Sequence, residues 1–592
     1  MLLFLRDGGP RSVLGQAALL SLLSTSTTSA LNPQDLATTN ILQTSLGPQP
    51  TFDIREATIS SIHNALFSGL TTCHSLVSSY LARIEAFNPS LHAVLSLNPN
   101  ALDLASAIDE QLSLNNASSI SHKPLLCIPV LLKDNFDTSE MPTTGGSLSL
   151  AHNTPVKDAP TVTAFKQAGA IILGKTNLHE FALEGISVSS LGGQAVNPYD
   201  STRTPGGSSG GTGAAIAANF AVLGTGTDTV NSLRSPASAN SLWSFRPTRG
   251  LISREGVIPV GWTQDVVGGM ARTVEDLAVM MTVMSSTVPE GGDNTTALVP
   301  PGMKGVDYRK ALYSFEEGKL KGLRLGVLNG FWNHTAGLET DPVNEVMSNT
   351  LERLKEAGVE LVNITDPVYD ALEIAARLDV QTWEFREGLD AYLSSTTYEG
   401  NDTIGPRSFV DIYTSDNNKT NFLVLPSQYN YIRNAFNRST SSPEYFVRQH
   451  GISNLQTHLF QTFSANDIDA IIYPEQKNLV VKIGSPSQSG RNGILAALTG
   501  SPVITLPVGF SEATEEAPVG VPVGMEILGR KWSDGKLLGI AKYVGEVLGP
   551  VRKMPTTGGL GKLVEVKGYE KVPEVKGVDG GNIPGVYPLG TY

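Results

Sequence analysis

The stretch PGGSSGGTGAAIAANFAVLGTGTDTVNSLRSP, residues 205–236, decides how the rest of the chain is interpreted. It contains two turns rich in glycine and small polar residues, 205–213 and 224–236, separated by a predicted helix of small residues at 214–222. Glycine permits backbone paths that other residues avoid, and its backbone N–H groups are unobstructed. Such turns suit a catalytic serine held in an unusual backbone conformation.

The segments on either side alternate between strand and helix patterns. Helical spacing of apolar residues predicts two helices within 55–86, the second stopped at Asn88-Pro89, and further helices at 161–168 and 344–357. Short apolar runs predict buried strands at 124–132, 169–173, 323–328, 469–473, 503–507 and 521–528. This alternation predicts an α/β fold, a single large domain with a central mixed β-sheet covered by helices. No linker divides the middle, so the main domain is placed at 31–554.

The composition excludes several classes of function. Of the 592 residues, 40% are hydrophobic and 17% are charged, which supports a sizeable core and excludes global disorder. The net charge of −13, with no Lys/Arg block, argues against nucleic-acid binding through a basic face. The two cysteines, Cys73 and Cys127, exclude a disulfide-stapled scaffold and Cys-based zinc sites, and there is no His-Glu-x-x-His motif. We therefore expect neither a metal nor a nucleic-acid partner.

The first thirty residues have the pattern of an export signal. Arg6 and Arg11 precede an apolar run at 13–23, and small residues lead to Ala30, where a signal peptidase would cut. The run is shorter than the ~20 residues that span a bilayer as a helix, so no stable membrane insertion is expected. Residues 1–30 are interpreted as the signal peptide of a secreted protein. A disordered tail and a cytoplasmic location are the alternatives.

Two further features concern the surface. Residues 555–592 are rich in Gly, Pro and Lys and are interpreted as a C-terminal extension, either flexible or wrapped over the surface. The secretory interpretation is compatible with N-glycosylation sequons at Asn116, Asn294, Asn333, Asn363, Asn401, Asn418 and Asn437.

Lys133 is the first candidate for catalysis. It follows the apolar run 124–132, and burial at the end of a strand lowers the pKa of an amine so that it can act as a base. The structural alternative is a lysine that reaches solvent or pairs with Asp134. The two serine-bearing turns downstream favour catalysis, because a base is useful beside a hydroxyl nucleophile.

Ser208 also lies at the centre of Gly206-Gly-Ser-Ser-Gly210, which satisfies the Gly-x-Ser-x-Gly elbow of α/β-hydrolases. A Ser-His-Asp esterase centred on Ser208, with His450 or His458 as its base, is therefore an alternative. The residues before the elbow, 197–205, look like a loop rather than the strand that an elbow needs. The turn also lacks the Gly-Lys-Ser/Thr ending of a P-loop.

The order of these motifs resembles the amidase signature family, the Ser-Ser-Lys amidases. The likeness covers roughly residues 50–550, and its segments are 56–89, 128–135, 174–182, 205–213, 224–236, 246–253, 500–509 and 520–529. The resemblance implies the amidase signature fold and a cofactor-free enzyme that hydrolyses a small-molecule amide at a linear, non-peptide C–N bond. Together with the N-terminal pattern, it indicates a fungal-type secreted member. Substrate selection is expected to lie in 254–320 and 370–450, which carry no motif, and the oligomeric state is not defined by the sequence.

Carried onto this chain, the family pattern implies a catalytic triad of Lys133, Ser208 and Ser232. Ser232 would be the nucleophile that forms an acyl-enzyme, and Lys133 would be the base. Ser208, placed after a cis peptide bond, would relay protons between them. The oxyanion hole would consist of the backbone N–H groups of Thr229, Val230, Asn231 and Ser232.

The chain departs from the family pattern at Val230-Asn231, where two glycines usually precede the nucleophile. If this turn requires a positive φ, asparagine tolerates it and valine does not. The departure leaves a second hypothesis open, a catalytically impaired amidase-fold binding protein, although all three triad residues are retained. Asp228 and Arg234 are expected to hold the loop by charge-assisted hydrogen bonds. Cys127 stands where the family commonly has glycine and is interpreted as a small buried hydrophobe.

Overall fold

The structure, a computed structural model, describes residues 52–114, 122–287, 292–313, 322–395, 405–413 and 425–575. All of these residues fall in one structural unit. The predicted signal peptide, the end of the C-terminal extension and the sequons at Asn116, Asn401 and Asn418 lie outside the described residues.

The described chain contains thirteen strands. In chain order they are β1 Val94–Leu97, β2 Pro129–Lys133, β3 Ile171–Thr176, β4 Val188–Ser189, β5 Gly193–Gln194, β6 Leu223–Asp228, β7 Trp243–Arg246, β8 Val266–Ala271, β9 Arg324–Leu328, β10 Glu360–Ile364, β11 Ala470–Pro474, β12 Val503–Phe510 and β13 Pro522–Leu528. β4 and β5 form a short ribbon of their own. The other eleven form one sheet in the order β1-β3-β2-β6-β8-β7-β12-β13-β11-β9-β10.

Sixteen α-helices accompany these strands in the described chain. They are α1 Ile59–Phe67, α2 Cys73–Leu91, α3 Ala101–Ser113, α4 Pro160–Gln167, α5 Gly210–Ala217, α6 Arg234–Ala239, α7 Val274–Met284, α8 Tyr308–Ala311, α9 Asp341–Glu356, α10 Ala371–Leu378, α11 Gln381–Ser395, α12 Phe409–Tyr413, α13 Tyr429–Asn437, α14 Pro443–Ala465, α15 Ile494–Thr499 and α16 Asp534–Leu548. Short 3₁₀ turns occur at Leu148–Leu150, Glu180–Ala182, Asn294–Leu298, Asn329–Phe331, Pro426–Gln428 and Thr557–Gly559.

The sheet is mixed, as predicted. β2 runs parallel to β3 and β6, whereas β6, β8, β7, β12 and β13 pair antiparallel in succession. Every residue of β2, β3, β6, β8 and β11 is buried, which is expected of strands covered on both faces. The predicted α/β fold with a central mixed β-sheet covered by helices is thus confirmed. Because β2 and β6 are parallel neighbours, their last residues, Lys133 and Asp228, reach the same edge of the sheet.

Two helices differ from their predicted limits. α2 continues through Pro89 to Leu91, because a proline in the last turn removes only one backbone N–H from the helix. α5 begins at Gly210 and ends at Ala217, both earlier than predicted, and its first turn packs too closely against neighbouring segments for larger residues. A Cβ on Gly211, for example, would overlap the backbone oxygen of Asn177.

Cys73 and Cys127 form a disulfide bond, with their Cα atoms 5.8 Å apart. The interpretation of Cys127 as an unpaired buried hydrophobe was therefore wrong in its chemistry, although the side chain is buried. The sequence argument excluded only a scaffold held together by several disulfides, and it did not foresee this single bond, because the pairing depends on a tertiary contact across 54 residues. The bond ties the first residue of α2 to the turn before β2, the strand that carries Lys133.

The first part of the C-terminal extension, up to residue 575, lies against α2. Arg83 donates from Nη2 to the backbone oxygen of Leu560 at 2.6 Å, and the Tyr569 hydroxyl donates to Glu85 at 2.7 Å. Val572 and Val575 pack against the main core. These contacts place residues 560–575 on the surface of the main unit, while the predicted boundary at 555 stays a prediction.

Replacing both cysteines, Cys73→Ser with Cys127→Ser, is expected to lower the free energy of unfolding by about 2–4 kcal/mol. The reason is that the unfolded chain regains the freedom of a loop of 54 residues. Urea unfolding followed by tryptophan fluorescence measures the change.

The wild-type protein should show the same loss when it is unfolded in the presence of a reductant, whereas the double variant should not respond to reductant. Two titratable thiols in the denatured, unreduced wild-type protein would contradict the disulfide.

Candidate active site

Lys133 is the last residue of β2, and its side chain is completely buried. Its Nζ lies 2.7 Å from Ser208 Oγ and 2.7 Å from Thr227 Oγ1, and no carboxylate of the described residues is within ion-pair distance. Burial lowers the pKa of Lys133 to about 7, and the charges of Asp228 and Asp265 oppose this shift only in part. The amine can therefore lose its proton near neutral pH and act as a base.

A second buried lysine shows what Lys133 lacks. Lys175 lies on the neighbouring strand β3, and its Nζ forms an ion pair with Asp134 at 2.9 Å. It also donates to Pro142 O at 3.0 Å and to Thr143 Oγ1 at 3.1 Å. Asp134, the salt-bridge partner that the sequence offered for Lys133, is thus paired with Lys175. Lys175 therefore forms a buried ion pair, whereas the polar neighbours of the Lys133 amine are hydroxyl groups.

Ser208 lies in the turn before α5, and the peptide bond Gly207–Ser208 is cis, as the family resemblance implies. Its backbone oxygen accepts a hydrogen bond from His179 N at 3.0 Å, and the Ser187 hydroxyl donates to Gly206 O at 2.8 Å. The Ser208 side chain has no exposed surface. Its hydroxyl contacts the Lys133 amine but does not open to the exterior.

A buried ionic cluster holds the loop that follows β6. Asp228 accepts hydrogen bonds from Arg234 at 3.0 and 3.1 Å and from Arg246 at 2.5 Å. Arg234 also pairs with Glu526 at 2.8 Å and donates to the backbone oxygen of Val230. Although burial alone would raise it, the two guanidinium groups lower the pKa of Asp228 to about 2. The predicted role of Asp228 and Arg234 in holding the loop is confirmed.

The Val230-Asn231 departure needs no strained backbone, because neither residue has a positive φ. Val230 packs against the apolar cluster that includes Ile494. Asn231 donates from Nδ2 to Glu475 Oε1 at 3.2 Å. Space for the loop comes from Gly493, where a Cβ would overlap the backbone oxygen of Val230. The loop therefore replaces the family's glycines with side-chain anchors.

Ser232 is 8% exposed and lines a cavity of about 510 Å³. Within the described chain, none of the backbone N–H groups of residues 229–232 donates a hydrogen bond, as the predicted oxyanion hole requires. In the described structure, the Ser208 and Ser232 hydroxyls do not form a hydrogen bond with each other. The turn that carries Ser208 and the loop that carries Ser232 are joined instead through Ser209 N, which donates to Ser232 O at 3.3 Å.

The cavity beside Ser232 combines apolar and polar walls. Its apolar lining residues are Ala182, Leu183, Val230, Ala371, Leu372, Ala375 and Ile494. Its polar lining residues include Glu184, Asp379, Gln381, Tyr431, Gln488 and Arg491. Of the two segments expected to carry substrate selection, 370–450 contributes to the lining of this cavity, whereas 254–320 contributes no lining residue. The contributions of 182–184 and 487–494 were missed, because they come from loops without a motif that only the fold brings together.

The alternative histidine site is not assembled. His458 Nε2 lies 2.7 Å from Asp366, half-exposed on α14, and His450 on the same helix is exposed. The polar neighbour of the Ser208 hydroxyl in the described structure is Lys133. Ser208 is also enclosed, whereas Ser232 reaches the cavity. These contacts favour the lysine arrangement over an esterase centred on Ser208.

The described residues contain neither a metal site nor a membrane-spanning helix. No group of three or more His, Cys, Asp or Glu side chains in the described ranges is placed to hold a metal ion. The helices of the same ranges are all too short or too polar to cross a membrane.

Comparison with known proteins gives a consistent result over most of the chain. The family model Amidase matches residues 75–538. A glutamyl-tRNA(Gln) amidotransferase subunit from Thioalkalivibrio sulfidiphilus is 30% identical over 515 residues, which are 85% of this chain and 99% of the relative. A probable amidase of Arabidopsis thaliana is 31% identical over 522 residues, which are 85% of this chain and 92% of the relative.

Among solved structures, the native peptide amidase of Stenotrophomonas maltophilia has a TM-score of 0.70 and 29% identity, covering 84% of this chain and 98% of that chain. The family match, the shared length and the common fold agree with the motifs in the sequence. The chain therefore belongs to the amidase signature family and is a hydrolase that acts on amide C–N bonds.

Proposed function

We propose that the protein hydrolyses a small, linear carboxylic amide through an acyl-enzyme on Ser232, with Lys133 as the base and Ser208 as the proton relay. The observation that carries this proposal is the buried Lys133 amine, which lies 2.7 Å from Ser208 Oγ without a carboxylate partner. Of Ser208 and Ser232, only Ser232 lines the cavity, so it is the one of the two that substrate can reach. The proposed nucleophile Ser232 thus lies at the cavity, while the proposed relay Ser208 and base Lys133 are buried behind it.

In the first half of the reaction, neutral Lys133 accepts the proton of the Ser208 hydroxyl, and Ser208 takes the proton of Ser232. The Ser232 oxygen attacks the carbonyl carbon of the amide, and the carbonyl oxygen becomes an oxyanion. The free backbone N–H groups of residues 229–232 donate to this oxyanion. The missing hydrogen bond between the two serines must form in this step, and catalytic hydrogen bonds commonly tighten when substrate binds.

In the second half, Ser208 gives its proton to the nitrogen of the leaving group and recovers one from Lys133. The C–N bond breaks, the amine departs, and the acyl group remains on Ser232 as an ester. Water then attacks the ester carbon and returns a proton through Ser208 to Lys133. Ser232 regains its hydrogen as the carboxylic acid leaves, so the site returns to its starting state.

The cavity supports a small substrate with an apolar portion. Its volume of about 510 Å³ fits a compact molecule, and alanine, leucine, valine and isoleucine form much of its wall. We propose a non-peptide C–N bond as the site of cleavage. The names of the similar proteins span a peptide amidase and an amidotransferase component, so they do not define the substrate.

A catalytically impaired binding protein is the less favoured alternative. This alternative arose because Val230-Asn231 departs from the family pattern, but neither residue has a positive φ. The backbone N–H groups of residues 229–232 also donate no hydrogen bond within the described chain. The ionic cluster around Asp228 also holds the loop in place. Retention of this machinery supports an active enzyme.

We also propose that the protein is secreted as a fungal-type member, after removal of residues 1–30. The Cys73–Cys127 disulfide supports this location, because disulfides persist in oxidising compartments. Of the sequons, Asn294, Asn363 and Asn437 are exposed. Exposure makes these three asparagines accessible to the glycosylation enzymes.

Individual replacement of the triad tests the mechanism. Ser232→Ala, Ser208→Ala and Lys133→Ala should each reduce amide hydrolysis by at least about 10³-fold, because each removes a step of the proton or acyl transfer. A fluorophosphonate probe should label the wild-type protein at Ser232, as mapped by peptide mass spectrometry.

Ser238→Ala is the matched control, since it removes another buried serine hydroxyl of the same region without changing the proposed triad. It should keep normal hydrolysis and labelling. Labelling at Ser208, or full activity of Lys133→Ala, would contradict the assigned roles.

The two buried lysines should respond differently to replacement by methionine. Lys133→Met should be at least as stable as the wild type at pH 6, because it removes a buried amine whose pKa is lowered to about 7. The stability penalty of that amine is full below pH 7 and disappears as the pH rises toward 10.5, so the advantage of the variant should shrink by pH 10. Thermal unfolding at both pH values measures it.

Lys175→Met is the matched control and should lose about 3–5 kcal/mol, since it leaves Asp134 buried without its counter-ion. Wild-type kcat/KM should rise with pH through about 7 as Lys133 loses its proton. Equal destabilisation by the two methionine variants would show that Lys133 is a structural ion.

Expression in a secretory host tests the proposed location. The secreted protein should begin at Leu31, and enzymatic removal of glycans in heavy-oxygen water should mark Asn294, Asn363 and Asn437 by mass spectrometry. Retention of Met1 or unmodified asparagines at all three sites would count against secretion.

A further inference from the structure

Gln488 lines the cavity, and its side-chain amide lacks a hydrogen-bond partner in the described structure. It lies in the loop between β11 and α15, and it is 1% exposed, whereas its neighbours Ser487 and Ser489 are partly or fully exposed. Neither its amide oxygen nor its amide nitrogen has a hydrogen-bond partner in the described structure. Gln488 nevertheless lines the same cavity as Ser232.

The backbone around Gln488 is fixed firmly. Its N–H donates to Glu184 Oε1 at 3.2 Å, and Gly185 N donates to the same oxygen at 2.8 Å. Arg491 Nη1 lies 3.3 Å from the same Glu184 Oε1, so Glu184 links the loop that carries Gln488 and Arg491 to the loop that carries Gly185. The free amide therefore belongs to a residue that is held in place, not to a loose surface loop.

Gln488 also lies close to the catalytic turn. A Cβ on Gly185 would be 2.7 Å from Gln488 Cβ, and a Cβ on Gly207 would be 2.9 Å from the carbonyl carbon of Gly185. The glutamine is thus separated from the Gly207–Ser208 peptide by a single glycine. Because Gln488 and Ser232 line the same cavity, a group bound by Gln488 would share that cavity with the proposed nucleophile.

The chemistry of a free side-chain amide defines its partner. It offers N–H donors and a carbonyl acceptor side by side, and buried polar groups left unpaired are unfavourable until such a partner arrives. A carboxylate would satisfy only the donors. It would also meet Glu184 and Asp379 in the same cavity, where the single arginine, Arg491, is already paired. A neutral amide, with one N–H and one C=O, satisfies both atoms.

We propose that Gln488 is a specificity-determining residue that pairs with a second, non-scissile amide of the substrate. This inference rests on the proposed function and narrows its substrate class to small amides that carry another amide next to the cleaved one. The pairing needs the Gln488 amide to turn about its own side-chain bonds toward the cavity. Side-chain rotations of this kind are common when a ligand binds.

Two substrates that differ only in this group test the inference. N-acetylleucinamide carries the second amide beside its primary amide, and 4-methylpentanamide has the same carbon chain without it. Gln488→Leu should lower kcat/KM for N-acetylleucinamide about tenfold, which corresponds to about 1.4 kcal/mol. It should change the value for 4-methylpentanamide less than about threefold.

Gln456→Leu is the control, because Gln456 lies on α14 outside the cavity and its amide already donates to Leu498 O. It should leave the ratio of the two substrates unchanged. An equal fall for both substrates in Gln488→Leu would assign Gln488 a purely structural role and overturn the inference, as would no change for either.

A binding measurement separates this inference from the proposed function. In a Ser232→Ala background, which needs no turnover, calorimetry should show tighter binding of N-acetylleucinamide than of 4-methylpentanamide, and Gln488→Leu should remove the difference. If the wild type hydrolyses neither amide and is not labelled at Ser232, the proposed function fails while the binding result still decides the role of Gln488. Equal binding of both compounds overturns the inference.

Discussion

The arrangement of the site depends on a buried amine without a counter-ion. Lys133 ends a strand whose residues are all buried, and its nitrogen meets two hydroxyl groups instead of a carboxylate. Desolvation then brings the pKa of the amine close to neutrality. Lys175, on the next strand, has the same burial but an ion-pair partner in Asp134. The two buried lysines on neighbouring strands thus differ in their partners, because Asp134 pairs with Lys175 and not with Lys133.

The second requirement is a loop that presents backbone donors rather than side chains. Asp228 and Arg234 lie on either side of this loop and form ion pairs with each other and with Arg246 and Glu526. This buried ionic cluster holds the two ends of the loop in place. Since the donors are backbone N–H groups, their availability is independent of the residues at 230 and 231. Val230 and Asn231 are therefore tolerated as long as their φ angles stay ordinary, and they add a packing contact and a hydrogen bond to Glu475. A substitution that looks disruptive in the sequence changes the wall of the cavity more than the geometry of the loop.

The sequence could predict the parts of the site that are local. Lys133 at the end of an apolar run, Ser208 in a glycine-rich turn and the flanking pair Asp228 and Arg234 are all encoded within a few residues of one another or of their strand. The mixed sheet also follows from the alternation of strand and helix patterns. The Cys73–Cys127 bond, the pairing of Lys175 with Asp134, and the cavity residue Gln488 depend on contacts between distant segments. No local pattern marks such contacts, so only the fold reveals them.

A buried neutral amine and four unpaired backbone donors both reduce stability, so the rest of the structure has to hold them in position. The contacts that do this converge on the two elements concerned. The disulfide fixes the turn from which β2 starts. The parallel neighbour β3 holds the register of β2 up to Lys133, and β6 pairs with it at Val130 and Leu131. The loop after β6 is held by charge-assisted hydrogen bonds that are themselves buried and fully paired at Asp228. In the proposed mechanism, the catalytic groups and the supporting groups are therefore different residues: the former are left without ionic partners, and the latter carry the ion pairs. This division explains how the fold keeps reactive groups unsatisfied without losing the geometry that makes them useful.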